Sequence, residues 1–280
     1  MGTYTVARDD FTNARRSYIV LGVIGVFTAL VGLIFASEIS IYDDPYRVLW
    51  DVSILVSFVF PLFLAPLVYL SIAGDRISGT IKFSMGLPNS RLEYFAGKLV
   101  SRFGTAAAAV LSGLFVGFVV SLATYANTPS PVRFATFAAV TIVYALTFVS
   151  IFLAISAATT SRARAMFGAL GAYFVLVVFW FGFFPLVNLQ TVLDAVGSLL
   201  GTEISETTRD YLTVLSPGTA YLRATEPVYA GVMDQYDTFA QFEDSGELYG
   251  QPWFTLLVML GWTALSLAVG YRSFDRSELG

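Results

Sequence analysis

Six stretches of this chain run for about the length of a membrane-crossing helix without a single Asp, Glu, Lys or Arg: Ser17 to Ser37, Val52 to Gly74, Phe103 to Asn127, Phe134 to Ser161, Ala165 to Val187 and Pro252 to Tyr271. A hydrocarbon core of about 30 Å takes about 20 helical residues at about 1.5 Å each. The composition leaves little room for another reading. Hydrophobic residues make up 56% of the 280 and charged residues 13%, where a soluble domain is charged at about 25% of positions. The expectation is an all-α integral membrane protein with six transmembrane helices in a single transmembrane domain, residues 1–280. The first run could be mistaken for a secretory signal, since Arg15 and Arg16 precede it and Ala36 and Ser37 follow. It is longer than the roughly 7 to 15 apolar residues of a signal core and has no clear A-x-A site, so a retained anchor is expected.

The basic residues orient the spans. If the first helix leaves the cytoplasm, Arg8, Arg15 and Arg16 lie inside, with Arg76, Lys82, Arg91, Lys98 and Arg102 in the 74–102 loop, Arg162 and Arg164 in the next inner turn, and Arg272 and Arg276 in the tail. All but four of the 16 basic residues are then internal, and Arg47, Arg133, Arg209 and Arg223 are external. This is the positive-inside pattern, and six spans return the chain to its starting side, so both termini are expected in the cytoplasm and the protein in the plasma membrane. The short polar stretch at Arg162 and Arg164 makes helices four and five neighbours in a hairpin. Only Asp9, Asp10, Asp75, Glu93, Asp275 and Glu278 of the 20 acids fall inside. The acidic exterior suits a high-salt medium, although an ordinary acidic loop or capture of a cation or basic partner would read the same way.

Two polar segments remain. The outer one, 188–251, is too long for a plain connection, and Val192, Ala195, Val196, Leu199 and Leu200 recur at helical spacing, so short amphipathic helices in a cap or re-entrant element are expected. The inner loop reads from Asp75 through Gly79-Thr80 and Ile81, Phe83, Met85 and Leu87 to Pro88-Asn89-Ser90-Arg91, then Glu93 and Gly97-Lys98. Gly79 permits a turn, and Pro88-Asn89-Ser90 can stop one element and cap the next. A basic loop anchored to lipid headgroups and a docking surface for a soluble partner both fit this composition.

There is no histidine and no cysteine, which removes the usual general base, soft metal ligand and thiol nucleophile together. Gly74 to Thr80 contains G-x-x-x-x-G but lacks the phosphate-contacting Lys and leaves a helix where a phosphate-binding loop follows a strand. The uncharged runs show neither the acids of an ion-coupled pathway nor the paired acids of an intramembrane hydrolase. Gly104, Ala108 and Ser112, with Gly113, Gly117 and Ser121 on an adjacent face, allow close helix approach, for packing within the subunit, a dimer interface or a pathway. Pro61, Pro66 and Pro185 are expected to bend their spans. Trp50, Trp180, Trp253 and Trp262 read as belt or core residues.

The inner loop resembles the signature of permeases of the ABC type 2 export family: an acid, Gly-Thr, an apolar stretch, Pro, Ser-Arg and a later Gly-Lys, here Asp75, Gly79-Thr80, Pro88, Ser90-Arg91 and Gly97-Lys98. Val6-Ala7-Arg8 to Arg15-Arg16 is similar to the family's lead-in helix, Leu215-Ser216-Pro217 with Ala220-Tyr221 to its outer segment, and Gly270-Tyr271-Arg272-Ser273-Phe274 to its tail. By length and layout the subgroup holding the permease of the nitrous-oxide-reductase accessory transporter is the nearest, and the acidic exterior suits a haloarchaeal source. The chain departs in carrying Ile77 where the family often has a second acid, which removes one ion pair to a partner. The resemblance implies a homodimer, each copy receiving an ABC ATPase subunit on the inner loop as a coupling helix. Asp75, Gly79, Thr80, Pro88, Arg91 and Lys98 are then the ATPase-coupling residues. ATP sits on the partner, and this chain holds no cofactor, metal or nucleic acid. The competing expectation is a non-transporting assembly or sensory component driven by an ATPase.

Overall fold

A backbone in hydrocarbon must satisfy its own polar groups, and over the uncharged runs the chain does so as helices. The computed structural model describes residues 2–86, 90–182, 184, 186–232, 235 and 247–277, and these are helices and their connections with no strand among them. In order they are α1 (Thr3–Arg15), α2 (Tyr18–Ser37), α3 (Pro45–Val68), α4 (Ala73–Ser78), α5 (Thr80–Gly86), α6 (Arg91–Thr124), α7 (Pro131–Ala158), α8 (Arg162–Tyr173), α9 (Leu189–Leu200), α10 (Glu206–Val214), α11 (Pro217–Ala224) and α12 (Pro252–Asp275). Among the described residues five helical segments are long and apolar enough to cross a membrane: α2, α3 continued through a turn into α4, α6, α7 and α12.

Several ends lie away from the edges of the uncharged runs, because caps and not charges set them. Pro45 and Pro131 occupy first-turn positions where their missing N–H costs nothing, behind the caps Asp44, which accepts from the Tyr46 amide at 2.8 Å, and Ser130. Helix α6 begins at Arg91, well before Phe103, on a capping box in which Ser90 Oγ accepts from the Glu93 amide at 3.1 Å and Glu93 Oε2 accepts from the Ser90 amide at 2.7 Å. Its first three turns, with Glu93, Lys98 and Arg102, are thus a charged extension of an apolar helix. Helix α3 passes through Pro61 and Pro66 and ends two residues beyond. Pro185 lies outside the described residues.

The fifth run differs most from expectation. Helix α8 gives way to a π-helical turn, Phe174–Val178, and Gly182 takes a left-handed conformation with φ 71°, so no single α-helix fills Ala165 to Val187. The widened turn leaves the Leu176 carbonyl to accept from Ser216 Oγ at 2.7 Å. Helices α7 and α8 are hairpin neighbours: a Cβ on Gly168 would stand 2.8 Å from Ile155.

Close packing replaces the hydrophobic effect inside a membrane, and here small residues supply it. The α6 stripe meets α2: Cβ atoms on Gly113 and Gly117 would come within 3.1 Å of Phe27 and 2.6 Å of Phe35, and Ser112 Oγ lies 2.8 Å from Thr28 Oγ1. Those three stripe positions therefore serve packing within the subunit. Gly270 of α12 abuts Ala154 of α7, where a Cβ would lie 2.7 Å from backbone, and Thr147 and Thr263 pair across the same contact at 3.2 Å. At the opposite end of the bundle from α4 and α5, the long segment folds as amphipathic α9, α10 and α11. Helix α9 buries Leu189, Leu193 and Gly197 and exposes Val192, Val196, Leu199 and Leu200. Helix α11 is set into the bundle, with Tyr221 fully buried, bonded to Thr141 at 2.9 Å and stacked on Tyr144 at 4.6 Å.

Candidate functional site

The turn between α4 and α5 reverses the chain over one residue. Gly79 closes α4 with φ 77°, a conformation that costs any residue with a Cβ, and its amide donates to the Arg76 carbonyl at 3.2 Å. Helix α4 starts on a cap lent by another helix: Ser156 Oγ of α7 accepts from the amides of Ile72 and Ala73, both at 3.0 Å. The G-x-x-x-x-G stretch is therefore helical and capped, with its amides engaged. Beyond Gly79, Thr80 Oγ1 lies 2.8 Å from Ser78 Oγ, Ile81 is buried, and Phe83 projects with 82% of its surface exposed beside exposed Lys82 and Ile77. An exposed aromatic on a short helix beside a cation is the kind of surface a partner can dock on.

Behind the reversal lies a charged cluster. Lys98 of α6, 6% exposed, reaches Asp10 of α1 at 2.6 Å and Asp75 of α4 at 2.7 Å, Arg102 reaches Asp10 at 3.1 Å, and the Tyr94 hydroxyl donates to Asp75. Burial pushes the Asp10 carboxyl upward, but Lys98 and Arg102 outweigh it and hold the group below its ordinary value. The cluster borders a cavity of about 330 Å³ between α1 and the reversal, reaching Thr80 and Ser84. Helix α1 lies flush against α6 there because Gly97 has no side chain: a Cβ would fall 2.6 Å from Val6.

Of the six residues singled out from sequence, Gly79 and Thr80 form the reversal, and Asp75 and Lys98 meet in the ion cluster behind it. Arg91 turns to the end of α12. There the carbonyls of Phe274 at 2.8 Å, Asp275 at 2.7 Å and Ser277 at 2.8 Å share the two N–H groups of its Nη1. Pro88 lies outside the described residues. Sequence reasoning did not single out Asp10, Tyr94, Arg102, Arg76 and Phe274. Lys98 and Arg102 stand one helical turn apart, a spacing that does mark a basic face needing an acid.

Residues 4–279 match the family model described as ABC-2 family transporter protein. No curated protein matches the chain.

Proposed function

The chain belongs to the ABC-2 transporter family and is a multi-pass membrane component of such a transporter, and from that premise we propose that it is the permease subunit of an ATP-driven exporter. On this reading it spans the plasma membrane six times, with α8 and the π-helical turn as the fifth crossing, and both termini are cytoplasmic. The positive-inside distribution supports this, since the basic α1, α4–α5 and α7–α8 segments then share the inner face. Residues 1–280 act as one transmembrane domain with 188–251 as its outer cap. Two copies pair, and each receives an ABC ATPase subunit that carries the ATP. Length and layout favour the subgroup of the nitrous-oxide-reductase accessory permease, and the acidic outer segment favours a haloarchaeal source.

The observation that carries the reading is the reversal at Gly79 with Phe83 exposed beyond it. Helix α5 is the coupling helix: an ATPase closing on ATP pushes on Phe83, and the spans shift between two arrangements. Asp75 and Lys98 brace the base of that helix, and Gly79 and Thr80 set its direction. The test is co-purification of the chain from its native membrane. An ABC ATPase should be retained by the parent and lost from Phe83→Asp; retention of no ATPase by the parent contradicts the proposal.

A further inference from the structure

The helices that end beside the reversal leave their last carbonyls without intrahelical partners and carry the negative end of the helix dipole. Two of these ends, those of α7 and α12, are held by arginines that flank the reversal on either side. Arg76, in the turn before Gly79, donates through Nη1 to the carbonyls of Ala157 at 2.8 Å and Thr159 at 3.2 Å, at the end of α7. Its Nη2 donates to Ser277 Oγ at 2.7 Å, just past the end of α12. Arg91, in the first turn of α6, takes the three carbonyls at the end of α12. Between the two guanidinium groups the ring of Phe274 is fully buried, with its centroid 5.3 Å from Arg76 Cζ and 5.9 Å from Arg91 Cζ, and it stacks on Tyr94 at 5.7 Å. A guanidinium can donate to carbonyls from its edge while its face lies near a ring.

Asp75 and Arg76 therefore divide the work of α4. Asp75 binds the cluster shared by α1 and α6, while its neighbour Arg76 binds the ends of α7 and α12. Helices α7 and α12 are themselves locked through Gly270 against Ala154 and through Thr147 with Thr263. A displacement of the reversal thus has a direct bonded route to that pair.

We propose that Arg76 and Arg91 are the positioning residues of energy coupling, conveying movement of the α4–α5 reversal to α12, and through Arg76 to α7, by holding the carbonyl ends of those helices. This rests on the reading of α5 as the surface an ATPase moves. Because the chain has no cysteine, paired spin labels can be placed directly, at Leu21→Cys on α2 and Val269→Cys on α12, both exposed. The labelled permease with its co-purified ATPase, in lipid nanodiscs, is measured by pulsed electron resonance with and without ATP and vanadate. In the parent, ATP and vanadate shift the distance distribution. In R76Q/R91Q the shifted population, scored per retained ATPase, falls by roughly tenfold. The single variant R91K, which keeps the charge, retains part of the shift and guards against a fold defect in the double variant. A full shift in R76Q/R91Q overturns the proposal. A parent that retains no ATPase, or shows no shift with ATP and vanadate, overturns the permease reading itself.

Discussion

Arg91 Nη1 donates to the carbonyl of Phe274 at 2.8 Å across 183 positions of chain, so the first turn of α6 and the last turn of α12 are one structural unit. On the proposed reading, the last span is thereby anchored beside the α4–α5 segment that an ATPase would move.

Lys98 is the hub of the ion cluster. Replacing it by Met leaves Asp10 and Asp75 facing each other without their shared cation, a loss of about 3–5 kcal/mol for breaking a buried ion pair from one side. Lys98→Met should lower the thermal unfolding midpoint in detergent markedly. Adding Asp10→Asn should recover part of the loss. Equal midpoints for the parent and Lys98→Met would show that the cluster contributes nothing.

Gly117→Val tests the α2 and α6 contact. A Cβ there lies 2.6 Å from the Phe35 ring, so the branched side chain must displace α2 or rotate Phe35, at a cost of about 1–3 kcal/mol. Gly261→Val, where nothing lies within 4 Å, should change the midpoint little.

Glu38, between α2 and α3, predicts a pH dependence. Burial and the neighbouring Asp51 raise its carboxyl to about 7, against the opposing pull of Arg47. A carboxyl with a raised folded value contributes stability that is fully present below its unfolded value of 4.5 and is lost as pH rises through about 7. The unfolding midpoint of the parent should therefore fall between pH of about 5 and about 8 more than that of Glu38→Gln. Parallel profiles would remove Glu38 as the cause.

Gly79→Val keeps the spans but strains the reversal. A β-branched residue at φ 77° costs roughly 1–2 kcal/mol, which α5 can relieve by turning aside. ATPase retention should drop several-fold while the unfolding midpoint of the bundle moves by only a few degrees.

Much of this architecture was legible in the chain. Charge-free runs located most of the apolar helices, and Gly113 and Gly117 marked the face on which α2 lies. The fifth run was read as apolar but its internal break was not legible, because run length registers apolarity and not hydrogen bonding: Phe174–Val178 is as apolar as any span, yet its turn is widened where Leu176 accepts from Ser216. Ser90 was legible as a cap, although the uncharged run in α6 begins only at Phe103. Glu93, Lys98 and Arg102 end an uncharged run but not a helix, because the capping box at Ser90 begins it earlier. The contacts of Arg91 and Arg76 were hidden, since their acceptors are mostly backbone carbonyls more than 80 positions away, and a carbonyl leaves no mark in a sequence. Asp10 was similarly hidden, visible only once α1 folds back on Gly97.

The central claim, that α5 meets an ATP-hydrolysing subunit, is tested most directly by photo-crosslinking from single cysteines in this cysteine-free chain. Phe83→Cys, carrying a photoreactive maleimide in native membranes, should crosslink to an ABC ATPase in an ATP-sensitive way, and Trp253→Cys at the far end of α12 should not. An ATPase adduct from Trp253→Cys, or none from Phe83→Cys, would contradict the account.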